Sequence, residues 1–482
     1  MNITEPFRRL ARLVPDQPAI IRADGSVISY RALDSAIDAM GRHASRFGIG
    51  AGDTVQVRVI GPDESLGLIL LLAMARLGAV TTDAPVPGRR TRLTFHAGPG
   101  APPATVTVDA GWMAGPPADP AASPPMPMDG AAVLRIFASS GSTGLPKQIV
   151  ITHGQMTQRV LLRWLSQGGG PTTRIIGINP GGSWGLSVAL ASLWARGTVV
   201  LSNPADAPAA IARHHVDSLI LTPASLRTML DAMPPDLGPF PSLRAVEVGG
   251  SLLPPALLHL ARERLTPHIQ SAMGATEVGA FVTAPAIDLA DRPGAVGLIW
   301  PGVEVQALDP DGQALPAGTA GVLRVRSPGN ASGYAAADAA REDWFKDGWF
   351  YSSDIGTVWP DGMLTLSGRT TDVINAGGVK VHPHVIEATL LKLPTVLDAA
   401  AFGVPDATGL TQVHAAIVAR TQIEMAVLRD FCRVALGASA PVGIVQMKAL
   451  PRNENGKIMR ERLVDLTLHL MRQAAGETSS PR

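Results

Sequence analysis

The sequence predicts an α/β protein with a large N-terminal domain of parallel αβ sheets plus a small antiparallel β portion, followed by a small α+β C-terminal domain. Three textures along the 482 residues lead there. From about Val55 to Met273, short β-branched runs alternate with longer helical patterns. Val55–Ile60 precedes Leu66–Leu77, Arg174–Ile178 precedes Trp184–Ala195, Asp217–Leu221 precedes Ala224–Leu230, and Arg244–Val248 precedes Pro255–Leu265. Such alternation builds βαβ units and parallel sheets. After Gly294, the runs Val303–Leu308, Val322–Arg326 and Met363–Leu366 are short and alternating, and the pairs Asp311-Gly312, Asp347-Gly348 and Asp361-Gly362 are hairpin signals. Beyond Arg369 a compact unit is expected: helices over Val385–Leu393, Met425–Leu436 and Met459–Leu470, with strands over Ala399–Val404, His414–Val418 and Ile444–Leu450. This places domains at 1–370 and 371–482.

Composition narrows the function classes. Forty-one basic residues against forty acidic ones provide no electrostatic case for nucleic acid or an anionic membrane. One cysteine, Cys432, excludes a disulfide framework, and its amphipathic run makes it a buried thiol. Residues Met1 to Pro6 lack the apolar core of a signal peptide. The most apolar run, Leu66 to Ala75, is far shorter than the roughly 20 residues of a membrane span, so a cytoplasmic protein is expected. Ala97 to Gly130, dominated by Pro, Ala and Gly, reads as a linker.

The most informative segment is Ala138-Ser139-Ser140-Gly141-Ser142-Thr143-Gly144-Leu145-Pro146-Lys147. Its glycines allow a tight backbone path, its amides and hydroxyls can wrap phosphate oxygens, and Lys147 adds a point charge. The apolar run Ala131 to Phe137 before it reads as a buried strand, which puts the loop at a strand end where α/β proteins bind ligands. It is not a Walker loop, because Pro146 precedes the lysine and Gln148 follows it.

This run resembles the phosphate loop of the adenylate-forming superfamily, which contains acyl-CoA synthetases, nonribosomal peptide synthetase adenylation domains and firefly luciferase; Gln148 stands where Gly is usual. Four more segments resemble that family's motifs in the right order. They are Gly274-Ala275-Thr276-Glu277; Asp347 to Asp354; Gly368 to Asp372 with Ala376 to Pro383; and Pro451 to Arg460. The resemblance spans nearly the whole chain. It implies activation of a carboxylic acid by ATP to an acyl adenylate, with pyrophosphate release, then transfer to a pantetheine thiol.

Roles follow from the resemblance residue by residue. Ser139, Ser140, Gly141, Ser142, Thr143 and Gly144 cradle the β- and γ-phosphates, with Lys147 on the leaving group. Thr276 bonds the α-phosphate and Glu277 holds Mg²⁺. Asp354 accepts the ribose hydroxyls, and Arg369 sits by the ribose and phosphate. Lys457 bridges the substrate carboxylate and the nucleotide. Gly250, Ser251 and Leu252 align with the adenine-edge segment, and Leu366 falls where a side chain packs on the base. Gly377 and Gly378 line the pantetheine tunnel. The small domain is expected to swing about Thr370-Thr371, since Lys457 and the Gly377-Gly378 loop serve different half-reactions. Three departures stand out: Met273 replaces an aromatic, Ser352-Ser353 replaces Thr-Gly, and Thr371 replaces Asp or Lys.

The acid pocket falls, by the same resemblance, on Gly182-Ser183-Trp184-Gly185, Val248-Gly249, and Ala272-Met273 with Val278-Gly279, a small and apolar lining. Gly182, Trp184, Gly249 and Met273 are its candidate contacts. The acceptor is CoA, or alternatively the phosphopantetheine of an acyl carrier protein; a catalytically silent acyl-nucleotide binding protein is the third reading. His382-Pro383-His384 and His214-His215 lack a third ligand at zinc-site spacing, so metal ligation by them is not adopted.

Family members that take amino acids place an acid in the first pocket segment, because a buried ammonium needs a partner. Asn179 to Val188 contains none, so a fatty, branched or aryl acid is expected. Phenylalanine should drive pyrophosphate exchange less well than 3-phenylpropanoic acid, and the reverse order would overturn this reading of the pocket.

Overall fold

The structure, a computed structural model, describes the chain except residues 60–63, 87–88, 98–104, 115–127, 140–146, 169, 178, 252, 290–291, 293, 336–343, 377–378, 407, 453–457 and 475–482. Two large sheets dominate it. The six-stranded sheet runs Val106–Val108, Thr91–Ala97, Thr54–Val59, Val80–Thr82, Val133–Ser139, Lys147–Thr152, parallel except for the last pair. In the 14-stranded sheet, Pro18–Ile21, Thr198–Val200, Thr173–Gly177, Ser218–Leu221, Ala245–Gly249 and Ile269–Ala275 are parallel neighbours. Ile269–Ala275 then pairs antiparallel with Gly279–Pro285, and the sheet continues through Ala295–Ile299, Met363–Arg369, Trp349–Val358, Ala320–Arg326 and Glu304–Leu308. The antiparallel strands are therefore an extension of the parallel sheet rather than a layer of their own.

Helices Glu64–Leu77 and Ser183–Trp194 are apolar nearly all round, as helices buried between two layers must be. One core joins both sheets through them: Val55, Phe95 and Phe137 from the smaller sheet, Ile20 and Val199 from the larger, and Ile69, Leu72 and Leu190 between. Two arginines and two aspartates are buried beside this core. Arg8 reaches Asp34 at 2.9 Å and Asp38 at 2.6 Å, and Arg76 reaches Asp34 at 2.6 Å and Asp38 at 2.7 Å. The cluster is neutral as a whole, which is what lets four charges leave water together.

The hairpin signals hold for a visible reason. Asp347 and Gly348 take φ of +52° and +78° between Phe345–Lys346 and Trp349–Val358, the left-handed pair that a two-residue hairpin demands. The stretch 97–130 is not wholly a linker. Val106–Val108 adds a strand to the six-stranded sheet, and Trp112 just after it packs on Phe47, His43 and Phe95. Its Pro and Gly content hid the alternating Val106 and Val108.

After Arg369 a smaller unit follows, with hairpin Ile374–Ala376 and Val379–Val381, helices Pro383–Leu390, Met425–Leu436 and Arg460–Ala474, and a three-stranded sheet Val396–Pro405, Thr411–Ala419, Gly443–Met447. Its own core runs from Ile374 and Val381 to Leu428 and Cys432. Burial raises the Cys432 thiol pKa, as suits a packed, inert sulfur. Among the described residues, no helix is long and apolar enough to cross a membrane.

His153, which opens helix His153–Gln167, is fully buried, and its Nδ1 accepts the Ile3 amide at 3.2 Å. Burial, with the N-terminal ammonium, lowers its pKa from 6.5 to about 4. The unfolded chain therefore takes up this proton first, so stability is full above pH 6.5 and falls as pH drops toward 4. The group's share is up to about 3 kcal/mol. His153→Asn keeps an acceptor but cannot titrate, and chemical denaturation at pH 7 and pH 5 should show a smaller loss in this variant than in the parent protein.

Candidate active site

A cavity of about 630 Å³ opens where parallel strands of both sheets end. Gly177 ends a strand of the larger sheet, and Thr222, Gly250 and Thr276 follow the carboxyl ends of others, while Asp83 and Ala138 come from those of the smaller. This crevice is where α/β sheets bind ligands, and its size suits a small molecule.

Nine of the sequence-derived candidates line it: Lys147, Thr276, Glu277, Asp354, Arg369, Gly250, Gly182, Trp184 and Met273. Gly249 adjoins it, with its Cβ position 2.9 Å from the Trp184 ring. Ser251 and Leu366 are absent from the lining. Ser251 faces a separate cavity of about 160 Å³ against Glu387, Asp398, Arg452 and Arg460 of the C-terminal unit. Leu366 packs with the antiparallel strands' core, near Gly356. The backbone of Ser139 ends its strand opposite Lys147. Ser140, Gly141, Ser142, Thr143, Gly144, Leu252, Gly377, Gly378 and Lys457 lie outside the described residues.

Charge is arranged in two groups. Arg369 Nε donates to Asp354 Oδ1 at 2.7 Å, the two residues being register partners on adjacent strands, and this carboxylate raises the guanidinium pKa. Asp354 is also shaped by Ser352, whose Oγ accepts the Asp354 amide at 3.0 Å while donating to Leu323 O. The serine at position 352 thus ties the Asp354 backbone to the neighbouring strand Ala320–Arg326. In the second group, the Tyr334 hydroxyl donates to Glu277 Oε1 at 3.0 Å, and Lys147 Nζ lies 3.6 Å above the Trp344 ring. A lysine and a carboxylate facing one cavity suit phosphate oxygens with a hard cation, for which a carboxylate is the ordinary ligand. Among the described residues, no three His, Cys, Asp or Glu side chains form a self-sufficient metal site.

A family model described as AMP-binding enzyme matches residues 89–335, and one described as AMP-binding enzyme C-terminal domain matches residues 385–457. The chain belongs to the AMP-binding enzyme family. Among its relatives, the 2-succinylbenzoate–CoA ligase of Bacillus licheniformis is 28% identical over 95% of this chain and 98% of its own. The salicyl-AMP ligase / salicyl-S-ArCP synthetase of Mycobacterium tuberculosis is 31% identical over 71% and 62%. The O-succinylbenzoate coenzyme A synthetase of Bacillus subtilis, solved in complex with AMP, superposes with a TM-score of 0.81 at 23% identity, covering 95% and 98% of the two chains, and shares the fold. This AMP-binding enzyme is in class an AMP-forming ligase.

Several residues of the site escape motif reading. Arg159, buried on helix His153–Gln167, donates through Nη1 to Ser183 Oγ at 2.7 Å, through Nη2 to Thr276 O at 3.0 Å and through Nε to Gly329 O at 2.9 Å. Burial pushes its pKa down to about 10, opposed by Glu277. Arg135 pairs with Asp83 in the cavity wall. The lining is accordingly less apolar than expected, since Asn179, Thr222 and Ser225 join it too. Asp83 brings in a carboxylate that the pocket segments lack, but Arg135 already engages it. A signal did exist for both arginines: a charge inside an apolar strand run at 135, and one on the apolar face of a helix at 159. For Asp83, Tyr334 and Trp344 no local signal exists.

Arg159→Leu strips a donor from three acceptors in one step. It should cost about 3 kcal/mol of stability, as loss of a buried charged donor does. Thermal melting and pyrophosphate exchange should both fall, whereas a retained melting temperature would show that these contacts carry no weight.

Proposed function

We propose that this enzyme activates a carboxylic acid with ATP to an acyl adenylate, releasing pyrophosphate, and transfers the acyl group to the pantetheine thiol of CoA. The observation that carries the reading is the convergence of Lys147, Thr276-Glu277, Asp354 and Arg369, from four separate motifs, on one cavity that also contains the Gly182–Trp184 segment. Relatives named as acid–CoA ligases along the full length support the chemistry class.

In this reading, the carboxylate attacks the α-phosphorus and the bond to pyrophosphate breaks, so negative charge moves onto the leaving group. Lys147 meets that charge, and the Thr276 hydroxyl steadies the α-phosphate. Asp354, fixed by Arg369, accepts the ribose hydroxyls. Mg²⁺, when bound, neutralises phosphate oxygens, and Glu277, oriented by Tyr334, is the residue that holds it. Trp184 and Met273 bound the acid. Lys457 completes the adenylation arrangement, and Gly377-Gly378 admits the thiol arm. The small domain, residues 371–482, presents these two elements in turn by reorienting at Thr370-Thr371.

A carrier-protein acceptor is the second reading, favoured by the salicyl-S-ArCP synthetase among the relatives. Acid-dependent AMP release with CoA and with holo carrier protein, compared over a panel of acids, separates the two. Absence of acid-dependent pyrophosphate exchange over the whole panel would leave the silent binding protein.

Lys457→Ala should lower adenylate formation by about 10²–10³ while sparing thioester formation from supplied acyl adenylate. Equal loss in both half-reactions would make Lys457 a structural residue.

A further inference from the structure

Two hydrogen-bond donors in the cavity wall have no partner among the described residues. Arg135, on strand Val133–Ser139 and 3% exposed, donates through Nε to Gly181 O at 3.2 Å and pairs through Nη2 with Asp83, yet its buried Nη1 meets no acceptor. Trp184 sits in the first turn of helix Ser183–Trp194 with its ring against Gly249, and its buried Nε1 is likewise unpaired. Both residues line the same cavity, and Gly181, which accepts from Arg135, is three residues before Trp184 in the chain. Buried donors are ordinarily satisfied, and orphans at a cavity point to something the protein itself does not supply.

The chemistry of the missing partner is narrow. Guanidinium and indole N–H groups only donate, so the partner is an acceptor, which on a simple carboxylic acid is an oxygen. The Arg135–Asp83 pair sums to zero charge, and the Asp83 carboxylate also accepts the Ala138 amide at 3.4 Å, so it stays in the wall. A second carboxylate or sulfonate on the substrate would stand beside it as a like charge.

We infer that the acid taken by this site carries, besides its carboxyl group, a neutral oxygen acceptor (a hydroxyl, carbonyl or ether), received by Arg135 Nη1 and Trp184 Nε1. The inference rests on the acid-activation reading above and deepens it to a substrate class: hydroxy or oxo acids, in preference to plain hydrocarbon acids and to diacids.

The test is equilibrium binding in the presence of AMP, by calorimetry, alongside pyrophosphate exchange. The panel holds benzoic acid, its three hydroxy and three carboxy derivatives, hexanoic acid with its hydroxy and oxo derivatives, and hexanedioic acid. At least one hydroxy or oxo acid should bind about 10²-fold more tightly than its parent and than the corresponding diacid, as a bond to a charged donor allows. Trp184→Phe, which keeps the ring and loses the N–H, should reduce that preference about tenfold. The double variant Asp83→Leu with Arg135→Leu should abolish it. If the double variant fails to fold, as thermal melting would show, Trp184→Phe still decides. Parent and oxygenated acids binding within threefold, a preferred diacid, or a preference that survives Trp184→Phe would overturn the inference; the two donors then face water. Exchange with all acids alike sinks this inference and leaves acid activation standing. A binding preference without any exchange does the opposite, and a protein that binds none of the panel overturns both.

Discussion

A guanidinium buried in a helix must find acceptors for its N–H groups, and Arg159 finds them on three segments far apart in sequence. Ser183 begins the helix that carries Trp184, Thr276 opens the Thr-Glu motif, and Gly329 lies in the stretch leading to Tyr334. Because the acceptors at Thr276 and Gly329 are backbone carbonyls, their positions are set independently of the side chains that face the cavity. Steric closeness reinforces the contact: the Arg159 side chain lies 3.2 Å from the Cβ position at Gly279 and 2.7 Å from that at Gly329. Neither glycine can become alanine without displacing the arginine. Glu277 supplies the countercharge that keeps the buried guanidinium ionised at neutral pH, its pKa staying near 10.

Sheet topology then decides what else reaches the site. Parallel strands in both large sheets present their carboxyl ends to the cavity, so a residue at or just beyond the strand end becomes a wall residue: Gly177, Thr222, Gly250, Thr276, Asp83. The antiparallel extension contributes differently. Trp349–Val358 and Met363–Arg369 run alongside each other in a register that sets Asp354 opposite Arg369, and their ion pair is a cross-strand pair before it is a site. A one-residue slip of either strand would leave the two side chains on opposite faces.

How much of this could be read beforehand follows from where the information lies. The βαβ alternation and the Asp-Gly turns are local, and both appear in the fold. Lys147, Glu277 and Asp354 belong to contiguous motifs and meet in one cavity. Arg135 with Asp83 is different, since its partners are 52 residues apart and neither has a sequence neighbour that names the other. Tyr334 with Glu277 is 57 apart. Pairwise burial of this kind is a property of the packed chain. The apolar pocket read from three segments is incomplete for the same reason: Asn179 and Ser183 belong to those segments, but Arg135 comes from a strand, Thr222 and Asp83 from strand ends and Ser225 from a helix that the segments omit. Ser251 and Leu366 show the reverse case, residues adjacent in sequence to the site whose side chains the fold sends elsewhere.

The aromatic pair between Lys147 and Glu277 links the two charges that matter most in the proposed adenylation. Tyr334 and Trp344 meet edge to face, with ring centroids 6.2 Å apart; Trp344 carries the ammonium on its face, and Tyr334 holds the carboxylate through its hydroxyl. A cation–π contact stabilises by about 0.5–2 kcal/mol, depending on how far it is desolvated. A charge-assisted bond to a phosphate oxygen is about twice as strong as a neutral hydrogen bond, and a triphosphate offers several such oxygens. The ring therefore fixes where the lysine lies without competing against phosphate for it. The tyrosine restrains a single oxygen of Glu277, which orients the carboxylate and leaves its charge available to a cation. Two weak restraints of this kind hold a strongly charged pair in place and release it to a stronger ligand.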